Sequence, residues 1–89
     1  MQQLKLFMSD LNTYKNINLE SITAVFTMIG ETTYEVMLEI NSNKFLIQFQ
    51  TTMNKIEQFE IVAVKWFVSI SRNILMTLKK IVYKLYFEY

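Results

Sequence analysis

The stretch Thr33-Tyr34-Glu35-Val36-Met37-Leu38-Glu39-Ile40 decides the fold class. Tyr34, Val36, Leu38 and Ile40 fall on one side of a two-residue period, and Thr33, Glu35, Met37 and Glu39 on the other. Successive side chains of a strand point to opposite faces. The pattern therefore predicts a strand with one buried face and one wetter face, on which Glu35 and Glu39 lie.

Working outward, Ser21 to Ile29 is rich in Thr, Val, Ile and Phe, which favour a pleated surface. Gly30-Glu31 supplies a turn before the anchor strand, and Asn41-Ser42-Asn43 supplies one after it. Phe45, Ile47 and Phe49 then alternate with Leu46, Gln48 and Gln50. Three strands joined by short turns predict an antiparallel meander with one strongly apolar face. Such a face must be covered, and helices are the remaining material.

Leu4, Phe7, Met8, Leu11 and Tyr14 recur at helical spacing, which predicts an N-terminal amphipathic helix from Gln2 to Tyr14. Asn54-Lys55-Ile56-Glu57 has the spacing of a capping box, and Ile56, Phe59, Ala63, Trp66, Phe67 and Ile70 continue a helical stripe beyond it. Val62, Val64, Trp66, Val68 and Ile70 also alternate, so a fourth strand over 59–70 is the alternative. Ser71-Arg72-Asn73 marks a break. Ile74, Leu75, Leu78, Ile81, Val82, Leu85 and Tyr89 then share one face of a final helix. The expected architecture is a single α+β domain over 1–89: an N-terminal helix, a three-stranded antiparallel meander, and one long or two consecutive C-terminal helices packed on the sheet.

The composition excludes much chemistry. With no cysteine and no histidine, disulfides, thiolate metal sites and the usual nucleophilic triads are ruled out. Gly30 is the sole glycine, so no phosphate-cradling loop can be built. Glu35 and Glu39 would stand about 13 Å apart along a strand, too far for a glycosidase carboxylate pair. The expectation is a protein that is not an enzyme, with no catalytic, cofactor or metal residues.

The apolar run from Phe59 to Ile70 is broken by Glu60 and Lys65 and is shorter than the ~20 residues a membrane span needs. The first ten residues lack the apolar run of a signal peptide, so a cytoplasmic location is expected.

An apolar fraction of 52% is high for 89 residues, and thirteen residues are aromatic. A chain this small cannot hide that much apolar surface, which points to contact with another protein, a second copy of the chain included. Residues 1–43 carry Lys5 and Lys15 against Asp10, Glu20, Glu31, Glu35 and Glu39, a net of −3, while residues 44–89 carry +4. That polarity suits head-to-tail pairing or an acidic partner. The last helix interleaves Met76, Tyr83 and Phe87 with Lys79, Lys80 and Lys84 on its second face. These six residues are the candidate partner-binding surface, with aromatic anchors and a lysine rim. The alternative is nucleic acid, with lysines on phosphates and rings stacked on bases.

In element order, helix–meander–helix resembles the double-stranded RNA-binding domains. Of the basic residues that open that family's second helix, only Lys55 is matched here, beside Glu57 and Glu60. In size and in its Asn, Lys and Ile content, the chain looks like the small inhibitors encoded by phages and plasmids, anti-CRISPR proteins among them. That resemblance implies an inhibitor of a host factor, and the excess of apolar and aromatic residues adds the expectation of a homo-oligomer.

Overall fold

The alternation at 33–40 becomes the central strand of a five-stranded antiparallel sheet in a computed structural model that describes residues 13–65 and 70–89. The strands are β1 (Thr13–Asn18), β2 (Ile22–Met28), β3 (Thr33–Ile40), β4 (Asn43–Thr52) and β5 (Lys55–Lys65), followed by one helix, α1 (Arg72–Phe87). They lie side by side in chain order, each hydrogen-bonded to the next.

Tight turns set the register. Ile40 pairs with Asn43, leaving Asn41 and Ser42 as a two-residue loop with φ of 49° and 74°. Two consecutive left-handed residues match the twist of the hairpin strands. Between β2 and β3, the amides of Ile29 and Gly30 both donate to the Thr33 carbonyl. A Cβ on Gly30 would come within 3.2 Å of the Thr33 Cβ, a tight approach that glycine leaves free.

Directly paired residues share a face, so the register sorts the sheet into two surfaces. One carries Ala24, Phe26, Tyr34, Val36, Leu38, Phe45, Ile47 and Phe49, all buried, with Ile17 and Ile56 at its margins. Leu78, Val82 and Leu85 of α1 close over it, and Ile74, Ile81, Tyr86 and Phe87 pack at the edges. At about 25 cal/mol per Å² of buried apolar area, this shared layer is the main source of stability.

Three expectations need correction. The sheet has five strands, not three. β1 forms although its Asn16 and Asn18 are poor strand formers, because on an edge strand they turn to solvent while Ile17 packs inward. Of the expected helix Gln2–Tyr14, residues 2–12 lie outside the described residues, and Thr13 and Tyr14 are extended in β1. No helix therefore precedes the sheet among the described residues, and the helix–meander–helix order shared with double-stranded RNA-binding domains is lost.

The third correction is the region after Thr52. Met53 and Asn54 form the β4–β5 turn rather than a helix cap, and the Glu57 carboxylate accepts from the Thr52 hydroxyl at 2.7 Å. Register shifts opposite Leu46/Ile47 and Gln48/Gln50 interrupt the β4–β5 ladder, and Gln58 takes φ 51° at one of them. The shifts leave Ile56, Phe59, Ile61 and Val64 on the helix-covered side, at spacings of three, two and three. That irregular spacing imitates a helical stripe. The strand alternative had begun at 59 as a fourth strand, whereas β5 is the fifth and starts at Lys55. Trp66 and Phe67 lie outside the described residues, and among the described residues a single C-terminal helix, α1, replaces the expected one long or two consecutive helices.

Candidate functional site

Ser71 caps α1, its hydroxyl accepting from the Ile74 amide at 3.2 Å. At the other end, the Lys15 ammonium reaches from β1 to the Leu85, Tyr86 and Tyr89 carbonyls, the middle one at 2.7 Å. A cation at the helix C-terminus satisfies carbonyls that have no partner within the helix and opposes the negative end of its dipole. Lys15 also lies 5.7 Å from the centre of the Tyr86 ring. Tyr86 is the hub of an aromatic cluster, with Tyr14, Phe26, Tyr34, Phe49 and Phe87 centred 4.7–5.7 Å from it. Burial first, then hydrogen bonding with Tyr34 and Tyr14, holds its phenol well above the usual tyrosine range. Tyr86 and Lys15 thus fix how α1 lies on the sheet, and neither role can be read from periodicity alone.

With its inner stripe fixed, α1 turns Arg72, Met76, Lys79, Lys80, Tyr83 and Lys84 outward. Five of the six residues expected to form the partner surface line one open groove of about 440 Å³, joined by Glu88. Met76 is 53% exposed and Tyr83 37%. Phe87, the sixth, is partly buried at the core margin, and its ring lies 4.8 Å from that of Tyr83. It backs the groove instead of lining it. Arg72, one turn before Met76, extends the basic stripe and was not among the expected residues.

The charges on this face act on the helix in opposing ways: Lys84, in the last turn, suits the negative end of the dipole, while others oppose it. Arg72 occupies the first turn, where the dipole favours an acid, and that turn contains no acidic residue. Lys80 and Lys84 are like charges one turn apart, which costs a few tenths of a kcal/mol. No hydrogen bond or ion pair ties Lys79, Lys80 or Lys84 to another described residue.

The opposite side of the molecule is the second surface of the sheet. Val25, Met37, Leu46 and Ala63 stand in one cross-strand row on it. Thr27, Glu35, Gln48 and Glu60 flank the row on one side, and the register positions of Thr23, Glu39, Lys44 and Lys65 on the other. Glu57 and Lys55 share this face through their pairings with Gln50 and Thr52. Met37 is 46% exposed and Ala63 is exposed, and no described residue packs over them. Glu35 is held in place by the Gln48 amide at 3.0 Å. Glu35 and Glu39 therefore lie on the wetter side of the anchor strand, but the row between them emerges only once the register is known.

A third concavity, of about 300 Å³, lies between the start of α1 and the β3–β4 turn. Its floor of Ile40, Phe45, Ile74, Leu78 and Ile81 is apolar, and its rim of Asn41, Asn43, Asn73 and Thr77 carries no titratable group. Among the described residues no three His, Cys, Asp or Glu side chains gather in a metal-binding arrangement. No described helix is long and apolar enough to cross a membrane.

No family model, curated protein or solved structure matches this chain.

Proposed function

We propose that this chain is a non-enzymatic binding protein, an inhibitor of a host factor, that acts by placing the outer face of α1 on an acidic surface of another protein. The observation that carries the reading is the combination of Met76 and Tyr83, both exposed, with Lys79, Lys80 and Lys84 around them against a single acid, Glu88, in the same groove, and no ion pair to any of the three lysines among the described residues. An apolar, aromatic centre with a charged rim is the usual anatomy of a protein contact, in which a few central residues supply most of the affinity. The cost to the helix of its own charges is offset when acidic groups of a partner face them. A cytoplasmic site of action is part of the same proposal, and fractionation of cells carrying a tagged chain tests it.

The test is capture of a partner from the native host with immobilised wild-type protein, compared with the Tyr83→Ala and Lys80→Glu variants. Capture of an acidic protein by the wild type, reduced at least about tenfold by either variant, supports the reading, since tenfold corresponds to about 1.4 kcal/mol. Equal capture by all three sinks it.

One observation favours a second reading. Arg72, Lys79, Lys80 and Lys84 lie on one helix with no acidic residue before Glu88, a pattern that also suits phosphates. Affinity for nucleic acid would then fall steeply with salt, and a gel-shift titration separates the two readings.

A further inference from the structure

We infer that Met76 is a redox switch for the α1 surface: conversion of its thioether to the sulfoxide by a peroxide turns off the contact made there. The inference rests on the outer face of α1 being the binding surface and adds the regulation of that same site. Methionine ordinarily serves a core as a flexible, apolar gap-filler. Here none of the four described methionines is buried. Met53 is 93% exposed at the β4–β5 turn, Met28 and Met37 are exposed on β2 and β3, and Met76 is exposed on α1. Among the described residues, the layer between sheet and helix is built from aliphatic and aromatic side chains without sulfur. All four thioethers can therefore take up oxygen without any change entering the core.

The step balances with hydrogen peroxide as oxidant. The thioether sulfur attacks one peroxide oxygen, the S–O bond forms as the O–O bond breaks, and the departing hydroxide takes the proton from the transferred oxygen to leave as water. Sulfur is oxidised and peroxide reduced, and a sulfoxide reductase with a thiol reductant reverses the change. The product is polar and chiral where the side chain was apolar. Position sets Met76 apart from the other three. It lines the groove with Lys79, Lys80, Tyr83 and Lys84. Lys79 and Lys80 follow it by three and four residues, a spacing that on a helix sets their side chains beside its own. Neither ammonium has an ion-pair partner among the described residues, so each is available to donate to the sulfoxide oxygen. Oxidation thus acts on both parts of the surface. The apolar centre becomes polar, and a rim lysine is drawn inward onto it.

Hydrogen peroxide treatment, followed by peptide mass mapping and by capture from the native host, tests this with three proteins: wild type, Met76→Leu, and Met28→Leu/Met37→Leu/Met53→Leu. Each is compared with its own untreated form. Mapping is expected to show sulfoxide at Met76, forming after that at the more exposed Met53. The circular dichroism spectrum of treated wild type is expected to be unchanged. Capture by wild type and by the triple variant is expected to fall at least about tenfold in step with conversion of Met76, the effect of losing one buried methionine contact, and to return after reductase treatment. For Met76→Leu the ratio of treated to untreated capture is expected to stay near one, a control that includes Met1 and Met8. If Met76→Leu does not capture by itself, the fall and recovery of the triple variant decide the matter. Wild-type capture that survives full conversion of Met76, an equal fall in Met76→Leu, or loss of the native spectrum on oxidation each overturns the switch. A wild type that captures nothing before treatment overturns the proposed function and the switch with it. Capture that is lost in Lys80→Glu but kept after oxidation removes the switch alone and leaves the proposed function standing.

Discussion

The outer face of α1 and the open face of the sheet have similar anatomy but different degrees of internal satisfaction. On the sheet, Glu35 is held by Gln48, Glu57 by Thr52, and Glu39 stands directly opposite Lys44. On the helix, Lys79, Lys80 and Lys84 have no such partner among the described residues, and Lys80 and Lys84 oppose each other. A surface whose charges answer one another is stable in water as it stands. One whose charges do not is better satisfied by something else, and for that reason function is assigned first to the helix.

The largest expected effect separates both faces from the layer between them. Phe26→Ala, at a fully buried ring, should lower unfolding stability by about 3–5 kcal/mol in a denaturant titration. Tyr83→Ala and Met37→Ala should each stay within about 1 kcal/mol of wild type. A large loss at Tyr83 would mean that it is structural and would erase the distinction between face and core.

Next is the tie between sheet and helix. Lys15→Met should cost about 1–2 kcal/mol, because the carbonyls ending α1 lose a charged donor, and hydrogen exchange at the last turn of α1 should quicken. Alkaline pH loosens the same corner. The Tyr86 phenol is harder to ionise folded than unfolded, so the folded chain binds more protons once pH exceeds the ordinary tyrosine value of 10.0, and stability should fall as pH rises above it. Tyr86→Phe should flatten that fall in melting curves taken from neutral to strongly alkaline pH.

The smallest effect has the opposite sign. Ser42→Gly should raise stability by about 0.5–1 kcal/mol, since its φ of 74° suits glycine better than serine. A loss there would show that the Ser42 side chain contributes more than backbone preference suggests.

Legibility in the sequence followed regularity. β2, β3 and β4 alternate without interruption, so their faces follow from a period of two. β1 was hidden because an edge strand tolerates Asn16 and Asn18, which look like loop residues. β5 was hidden because its bulges shift the phase, so that Ile56, Phe59, Ile61 and Val64 mimic a helix. The last helix was legible, though Leu75 and Tyr89 proved exposed and Tyr86, placed on neither stripe, proved to be the aromatic hub. The groove on α1 was readable in part because Met76, Tyr83 and the lysines share one helical face. Phe87 turned toward the core because its ring packs edge-on to Tyr86 at 4.7 Å. The Val25–Met37–Leu46–Ala63 row was not readable, since its members come from four strands and meet only through register.

The most direct test of the central claim is partner capture by paired variants of the two faces. Lys79→Glu/Lys80→Glu/Lys84→Glu should abolish recovery of an acidic host protein, while Glu35→Lys/Glu60→Lys, equally exposed to the change of charge, should retain it. Capture lost with the sheet variant and kept with the helix variant would contradict the account.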